Sequence, residues 1–122
     1  ASAENWLRLF AALFDRYDPA FLGLCYDTGH WRVVAGADDQ SILERFGHRL
    51  IATHVHDNHG TEDDHLLPFE GCINWNLAMK AIAATPYEMP LNLETPTDRH
   101  KLPESAFYRR AHAAAVRLQE MV

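Results

Sequence analysis

Carboxylates and imidazoles gather at four places in this sequence. In "CYDTGHW", Cys25 to Trp31, an apolar run closes on Asp27, with His30 three residues later. "THVHD" carries His54 and His56, "DDH" carries Asp63 and His65, and "LNLE" ends on Glu94. Ending an apolar strand on a charged group is costly unless the group is solvated or used. Of these, Asp27, His54 and Glu94 together offer the oxygen and nitrogen donors that hold a divalent cation. A carboxylate or imidazole beside such an ion can also move a proton. Each has a plainer structural reading as well. Asp27 could cap a turn, His54 could be a hydrogen-bonded core histidine, and Glu94 could be a solvated strand end.

The elements between these groups must bring them together. "AENWLRLFAALFDRY" spaces Leu7, Phe10, Leu13, Phe14 and Tyr17 along one helix face, and Pro19 ends it. "FLGLCYD" reads as a short buried strand. "DDQSILERFGH" reads as a helix with Asp38 or Asp39 as its N-cap and Gly47 as its C′ residue. "RLIATHVHD", apolar and β-branched, is a second strand. The polar loop "NHGTEDDHLLPFEG" leads to a helix starting near Asn74. "MPLNLE" makes a third short strand, and Pro103 opens the final helix. A leading helix followed by three strand–helix units predicts an α/β fold with a parallel sheet. Three strands leave both sheet edges bare, and parallel edges are normally paired or covered. Residues 1–122 therefore read as a single, partial domain.

Successive strand residues face opposite sides. Leu22, Leu24 and Tyr26 should oppose Gly23, Cys25 and Asp27. Ile51, Thr53 and Val55 should oppose Ala52, His54 and His56, and Leu91 and Leu93 should oppose Asn92 and Glu94. Each small or polar face thus ends in a donor group near the C-terminal end of its strand, where parallel α/β folds keep their active sites.

Composition narrows the function classes. A net charge of −6 without a basic stripe argues against a nucleic-acid partner. No run of about 18 apolar residues occurs, so no transmembrane helix is expected, and "ASAENWLRLF" does not read as a signal peptide. Cys25 and Cys72 are too few for a disulfide framework, which favours a reducing, cytoplasmic setting. Cys25 has no basic neighbour to activate it and reads as a packing residue. His48 and His59 are expected at the surface, and Trp6, Phe10 and Phe14 in the core.

Taken in order, "GLCYDTGHW", "THVHDN", "DDHLLPFEGCINW" and "LNLE" resemble the C-terminal part of the xylose isomerase-like TIM-barrel superfamily. That group includes sugar phosphate isomerases/epimerases and the family 2 AP endonucleases, endonuclease IV among them. The resemblance implies a partial (β/α)8 TIM barrel whose last three strands are those read here; the first five have no counterpart. It makes Asp27, His54 and Glu94 ligands of a divalent metal (Mn, Mg, Co or Zn), with Glu94 also taking part in proton transfer. His30 corresponds to a histidine that touches substrate or a second metal, and joins Glu94 as a catalytic candidate. Asp63 and His65 correspond to a pair that ligates an additional zinc in endonuclease IV. "PFEG" departs from the more usual glycine–glutamate–glycine, with Phe69 replacing the first glycine. The family's fifth-strand glutamate, a metal ligand and acid/base partner, has no counterpart either.

Three functions follow for testing. The expectation is a carbohydrate-metabolism domain, a metal-dependent sugar or sugar phosphate isomerase/epimerase with a small-molecule partner and neither nucleic acid nor membrane. The alternative is an endonuclease IV-like zinc nuclease, against which stand the acidic balance and Gly29, where the nuclease motif carries cysteine. The third is a catalytically incomplete fragment or assembly module that needs further strands or self-association.

Overall fold

Ser2 starts the first helix by accepting the Asn5 amide, and α1 runs from Ala3 to Arg16. The computed structural model describes residues 1–122. The elements that follow are β1 (Leu24–Asp27), α2 (Thr28–Ala35), α3 (Ser41–Phe46), β2 (Leu50–His54), α4 (Trp75–Ala83) and α5 (Glu104–Gln119). Short 3-10 turns cover Gly47–Arg49 and Thr97–His100. The order is that of an α/β fold. Leu24, Tyr26, Leu50 and Val55 pack one sheet face against helices bearing Leu7, Trp31, Leu43, Phe46, Trp75, Met79 and Leu118. Phe14 meets Phe46 edge-on with ring centroids 5.4 Å apart, joining α1 to α3. No helix is long and apolar enough to cross a membrane.

β1 and β2 pair in parallel, Cys25 opposite Ala52, Tyr26 opposite Thr53 and Asp27 opposite His54. The alternation expected for β1 holds, with Leu24 and Tyr26 buried and Asp27 half-buried, but Cys25, expected to pack, is exposed. In β2 the expected alternation fails at one residue. The register shifts after the Leu24–Leu50 pair, so Ile51 is an extra residue on the β2 side. It turns outward, 60 % exposed, instead of joining Thr53 and Val55 in the core. Its side chain lies over Gly23, where an added Cβ would come within 2.5 Å of it.

The expected third strand is not a strand. "MPLNLE" makes one parallel bridge, Val55 to Leu93, held by Val55 N donating to Asn92 O and Glu94 N donating to Val55 O. The ladder stops there for a local reason. The Asn92 amide donates to the Thr53 hydroxyl at 3.2 Å, and the Pro90 carbonyl takes the Tyr87 hydroxyl at 2.9 Å. The sheet therefore has two strands, and the single bridge is what brings Glu94 to its polar side.

Three other expectations change. α2 appears where no helix was expected, because "TGHWRVVA" mixes a glycine with β-branched residues of poor helix propensity. Asp27 caps it and Trp31 anchors it in the core. Asp38 and Asp39 do not cap α3. Asp39 Oδ1 accepts the Ser41 amide and hydroxyl and the Trp31 indole N–H instead, and the N-cap position is Gln40. Gly47 is right-handed, φ −57°, and continues into a 3-10 turn. A Cβ there would stand 2.5 Å from the Thr85 methyl. Asn74 does cap α4 by accepting the Leu77 amide.

Arg49 is buried at the start of β2 without a carboxylate partner. Its guanidinium instead donates to the carbonyls of Phe14, Tyr17 and Leu22 and lies over the Phe14 ring. It thereby satisfies carbonyls left open at the end of α1. Arg49→Met keeps the bulk but removes these donors, and should cost about 3 kcal/mol, or roughly 10 °C in Tm. Urea and thermal unfolding read this directly, and an unchanged midpoint would contradict the assignment.

Candidate functional site

The parallel pairing sets Asp27 beside His54 at the C-terminal ends of β1 and β2. Asp27 is at once the α2 cap and the centre of an imidazole cluster. Its Oδ1 accepts the His30 amide at 2.8 Å and His56 Nε2 at 2.9 Å. Its Oδ2 lies 2.9 Å from His30 Nδ1 and 3.5 Å from His54 Nδ1. The capping reading and the donor reading of Asp27 are both satisfied by one side chain. Glu94 completes this group: its Oε2 lies 3.5 Å from His54 Nδ1, 3.8 Å from His65 Nδ1 and 3.9 Å from His56 Nε2.

Asp63 and His65 arrive from the loop of residues 58–74, by a route that no residue spacing foretells. That route is set by Asp57, 0 % exposed. Its backbone exchanges two hydrogen bonds with Leu66, both 2.8 Å, folding the loop back beside β2. Its carboxylate accepts the amides of Asn58, Phe69 and Ile73 and the Trp75 indole N–H. Gly71 passes so close that a Cβ would meet Asp57 Oδ1 at 2.3 Å. Folded this way, the loop sets Asp63 Oδ2 3.2 Å from His30 Nε2 and 3.0 Å from His65 Nε2. His65 Nδ1 meets the Glu94 carbonyl at 2.9 Å, and Arg99 donates to the Asp63 carbonyl.

The Phe69 substitution in "PFEG" now has an account. Phe69 sits at φ +75°, a left-handed conformation that glycine enters freely and a bulky residue does not. Opposing that strain, its ring packs 6.0 Å from Trp75 and under the Arg117 guanidinium at 3.8 Å.

The donors form two groups, each with one ligand atom per residue and all atoms within 4.8 Å of one another: Asp27, His54 and Glu94; and His30, His56, Asp63 and His65. All six residues singled out from the sequence fall in one or the other. His56 was placed beside His54 by strand parity but not counted as a site residue; it is fully buried, belongs to the second group and hydrogen-bonds Asp27 of the first. Atoms bound about 2.1 Å from an octahedral or tetrahedral cation stand roughly 3.0–3.4 Å apart, close to the 3.5 Å from His54 Nδ1 to each carboxylate. Glu94 Oε2 is a buried oxygen with no hydrogen-bond partner. The residues thus fit a bound cation by spacing, donor chemistry and one orphaned oxygen.

Charge coupling inside the cluster shifts its ionisable groups. Desolvation pushes the Asp27 carboxyl up, but the hydrogen bonds from His56 and the His30 amide outweigh it, and the net shift is down. Asp63 moves down as well, its desolvation outweighed by His30 and His65. His30 moves up: desolvation opposes its charge, but the Asp63 hydrogen bond and the charges of Asp27, Asp63 and Glu94 prevail. The Cys25 thiol is pushed up by burial and by Asp27 and Glu94, so it is no activated thiolate.

A family model described as xylose isomerase-like TIM barrel matches residues 5–118. The uncharacterized protein y4fM of Sinorhizobium fredii is 59% identical over 122 residues, all of this chain and 39% of that protein. The uncharacterized protein MJ1311 of Methanocaldococcus jannaschii is 31% identical over 78 residues, 63% of this chain and 27% of that protein. The chain thus spans well under half the length of either relative. No solved structure matches it.

Two measurements test this geometry in metal-free protein. A raised His30 value means its contribution is present below its ordinary 6.5 and lost as pH rises through the raised value. Lowered Asp27 and Asp63 values mean theirs is present above 3.8 and lost as pH falls through the lowered values. The destabilisation by His30→Ala should therefore be largest between about pH 4 and 6.5 and shrink on both sides; a pH-independent difference would refute the pairing. Phe69→Gly relieves backbone strain but forfeits the ring's packing, for a net loss of about 1–2 kcal/mol in urea unfolding.

Proposed function

The chain belongs to the xylose isomerase-like TIM-barrel family, and from that premise we propose that its donor cluster serves a metal-dependent sugar or sugar phosphate isomerase/epimerase. The observation that supports this most is the triad Asp27, His54 and Glu94, gathered from three separated stretches with Glu94 Oε2 left without a hydrogen bond. These three would hold a divalent cation, Mn, Mg, Co or Zn, which when bound supplies Lewis-acid polarisation of a carbonyl and its neighbouring hydroxyl.

The rest falls to the chain's own groups. Glu94, 40 % exposed, moves a proton at the carbon next to the carbonyl with the carboxylate oxygen not turned to the imidazoles. His30, 54 % exposed, turns one ring nitrogen from its carboxylate partner to a sugar hydroxyl. Trp31 takes no part in substrate stacking; it is buried with its indole N–H on Asp39. On this reading the opposite face of the substrate is served by a glutamate from a further strand of the barrel, as part of a longer protein.

One observation favours a second reading, a zinc nuclease: the group of His30, His56, Asp63 and His65 offers donors for an additional ion. Against it stands the net charge of −6. A side chain at Gly29, where the nuclease motif carries cysteine, would also collide with His56, its Cβ 2.0 Å from Cε1.

Elemental analysis of protein purified without chelator, beside Asp27→Ala, separates these readings. About one equivalent of divalent metal, lost in the variant, and turnover of a ketose or ketose phosphate would support the isomerase. Several zincs with cleavage of an abasic duplex would replace it with the nuclease. No metal in either protein would mean that these residues alone do not form the centre.

A further inference from the structure

His56 is buried at 0 % exposure, yet its ring makes only one hydrogen bond, Nε2 to Asp27 Oδ1 at 2.9 Å. A carboxylate oxygen only accepts, so the proton of that bond belongs to Nε2. Nδ1 is left bare and without a partner. It faces the Gly29 backbone, where an added Cβ would lie 2.3 Å away. The ring is clamped from its other side as well, stacked on His65 at 3.9 Å with 10° between planes. Its backbone is fixed in turn. The Thr28 hydroxyl donates to the His56 carbonyl at 2.7 Å and accepts the His56 amide at 3.0 Å. Two residues after His56, the Asn58 side chain donates to the Gly29 carbonyl at 2.8 Å. "DTG" and "HDN" therefore lie against each other, and His56 has almost no freedom to rotate.

We propose that His56 is a positioning residue that locks Asp27 in one rotamer, binding Oδ1 so that only Oδ2 is presented to a cation. The two oxygens of Asp27 are not equivalent. Oδ1 is saturated by the His56 ring and the His30 amide. Oδ2 lies 2.9 Å from the exposed His30 ring and 3.5 Å from His54, the next donor of the same group. Because the ring also stacks on His65, the rotamer of Asp27 is tied to the placement of the loop that carries Asp63. His56 thereby couples the two donor groups without itself needing to bind the ion. The proposal rests on the metal-centre reading above for its purpose, but the tether itself is a property of the metal-free protein.

Two measurements on the 122-residue chain test it. In metal-free protein, long-range 1H–15N spectra should show His56 as the Nε2–H tautomer with a downfield, exchange-protected proton; its absence would overturn the tether. Mn2+ affinity, from chelator competition, should fall 10–100-fold in His56→Ala. It should recover most of that loss in His56→Gln, whose amide can donate to the same oxygen. Wild-type affinity in His56→Ala would overturn the positioning role, as would failure of the glutamine to restore it, which would mark the imidazole itself as a ligand. If the alanine variant does not fold, the glutamine variant and the tautomer decide. A wild-type chain that takes up no Mn2+ overturns the metal-centre reading and the positioning role with it. A missing tether signal with Mn2+ uptake intact overturns only the role of His56.

Discussion

One buried carboxylate, Asp57, holds most of the site in place. It lies between His56 and Asn58 with no exposure, and four donors converge on it from both ends of a long loop. A carboxylate buried without such partners would be costly; with them it becomes a fixed point. Everything downstream follows from that point. The loop closes beside β2, Trp75 starts α4 in register, and Asp63 and His65 return to face residues from which they are far in sequence. The same packing forces glycine at Gly71 and holds Phe69 in a left-handed conformation.

The second organising contact is the lateral match between "DTG" and "HDN". Asp27 meets the His56 ring, Thr28 meets the His56 backbone, and Gly29 meets Asn58. His56 takes two partners across the gap and Asn58 one, while the Asp57 carboxylate between them turns to the loop instead. What emerges is an array in which acceptors and imidazoles alternate, Asp27, His30, Asp63, His65, with Glu94 at its edge. Such an array suits a cation, since bringing carboxylates together without imidazoles or an ion would be repulsive.

Much of this was legible in the sequence where one residue type admits one physical explanation. The first helix, the Asn74 cap and the two alternating faces of β1 follow from period and capping chemistry. So does the convergence of Asp27, His54 and Glu94, because parity places each on the same side at the end of its stretch. The failures also have local causes. α2 was invisible because its propensity is poor and its stability comes from Asp27 and Trp31. The third strand shrank to a bridge because Thr53 and Tyr87 took the hydrogen bonds a ladder needs. Ile51 turned outward because one extra residue reverses parity, and nothing in "RLIATHVHD" marks where it falls.

The sequence by itself determined the donor set and its family: which residues could bind a cation, their order, and the α/β frame that presents them. Only the tertiary structure decided how they divide. Whether Asp63 and His65 join Asp27 or stay apart depends on loop closure, and closure is set by Asp57 and by a backbone pairing with Leu66 that no periodicity encodes. Likewise the sequence showed His56 as one more histidine beside His54. Its burial, its single hydrogen bond and its stacking on His65 exist only once three distant segments meet, because contacts between segments are fixed by packing and not by the spacing of residues along the chain.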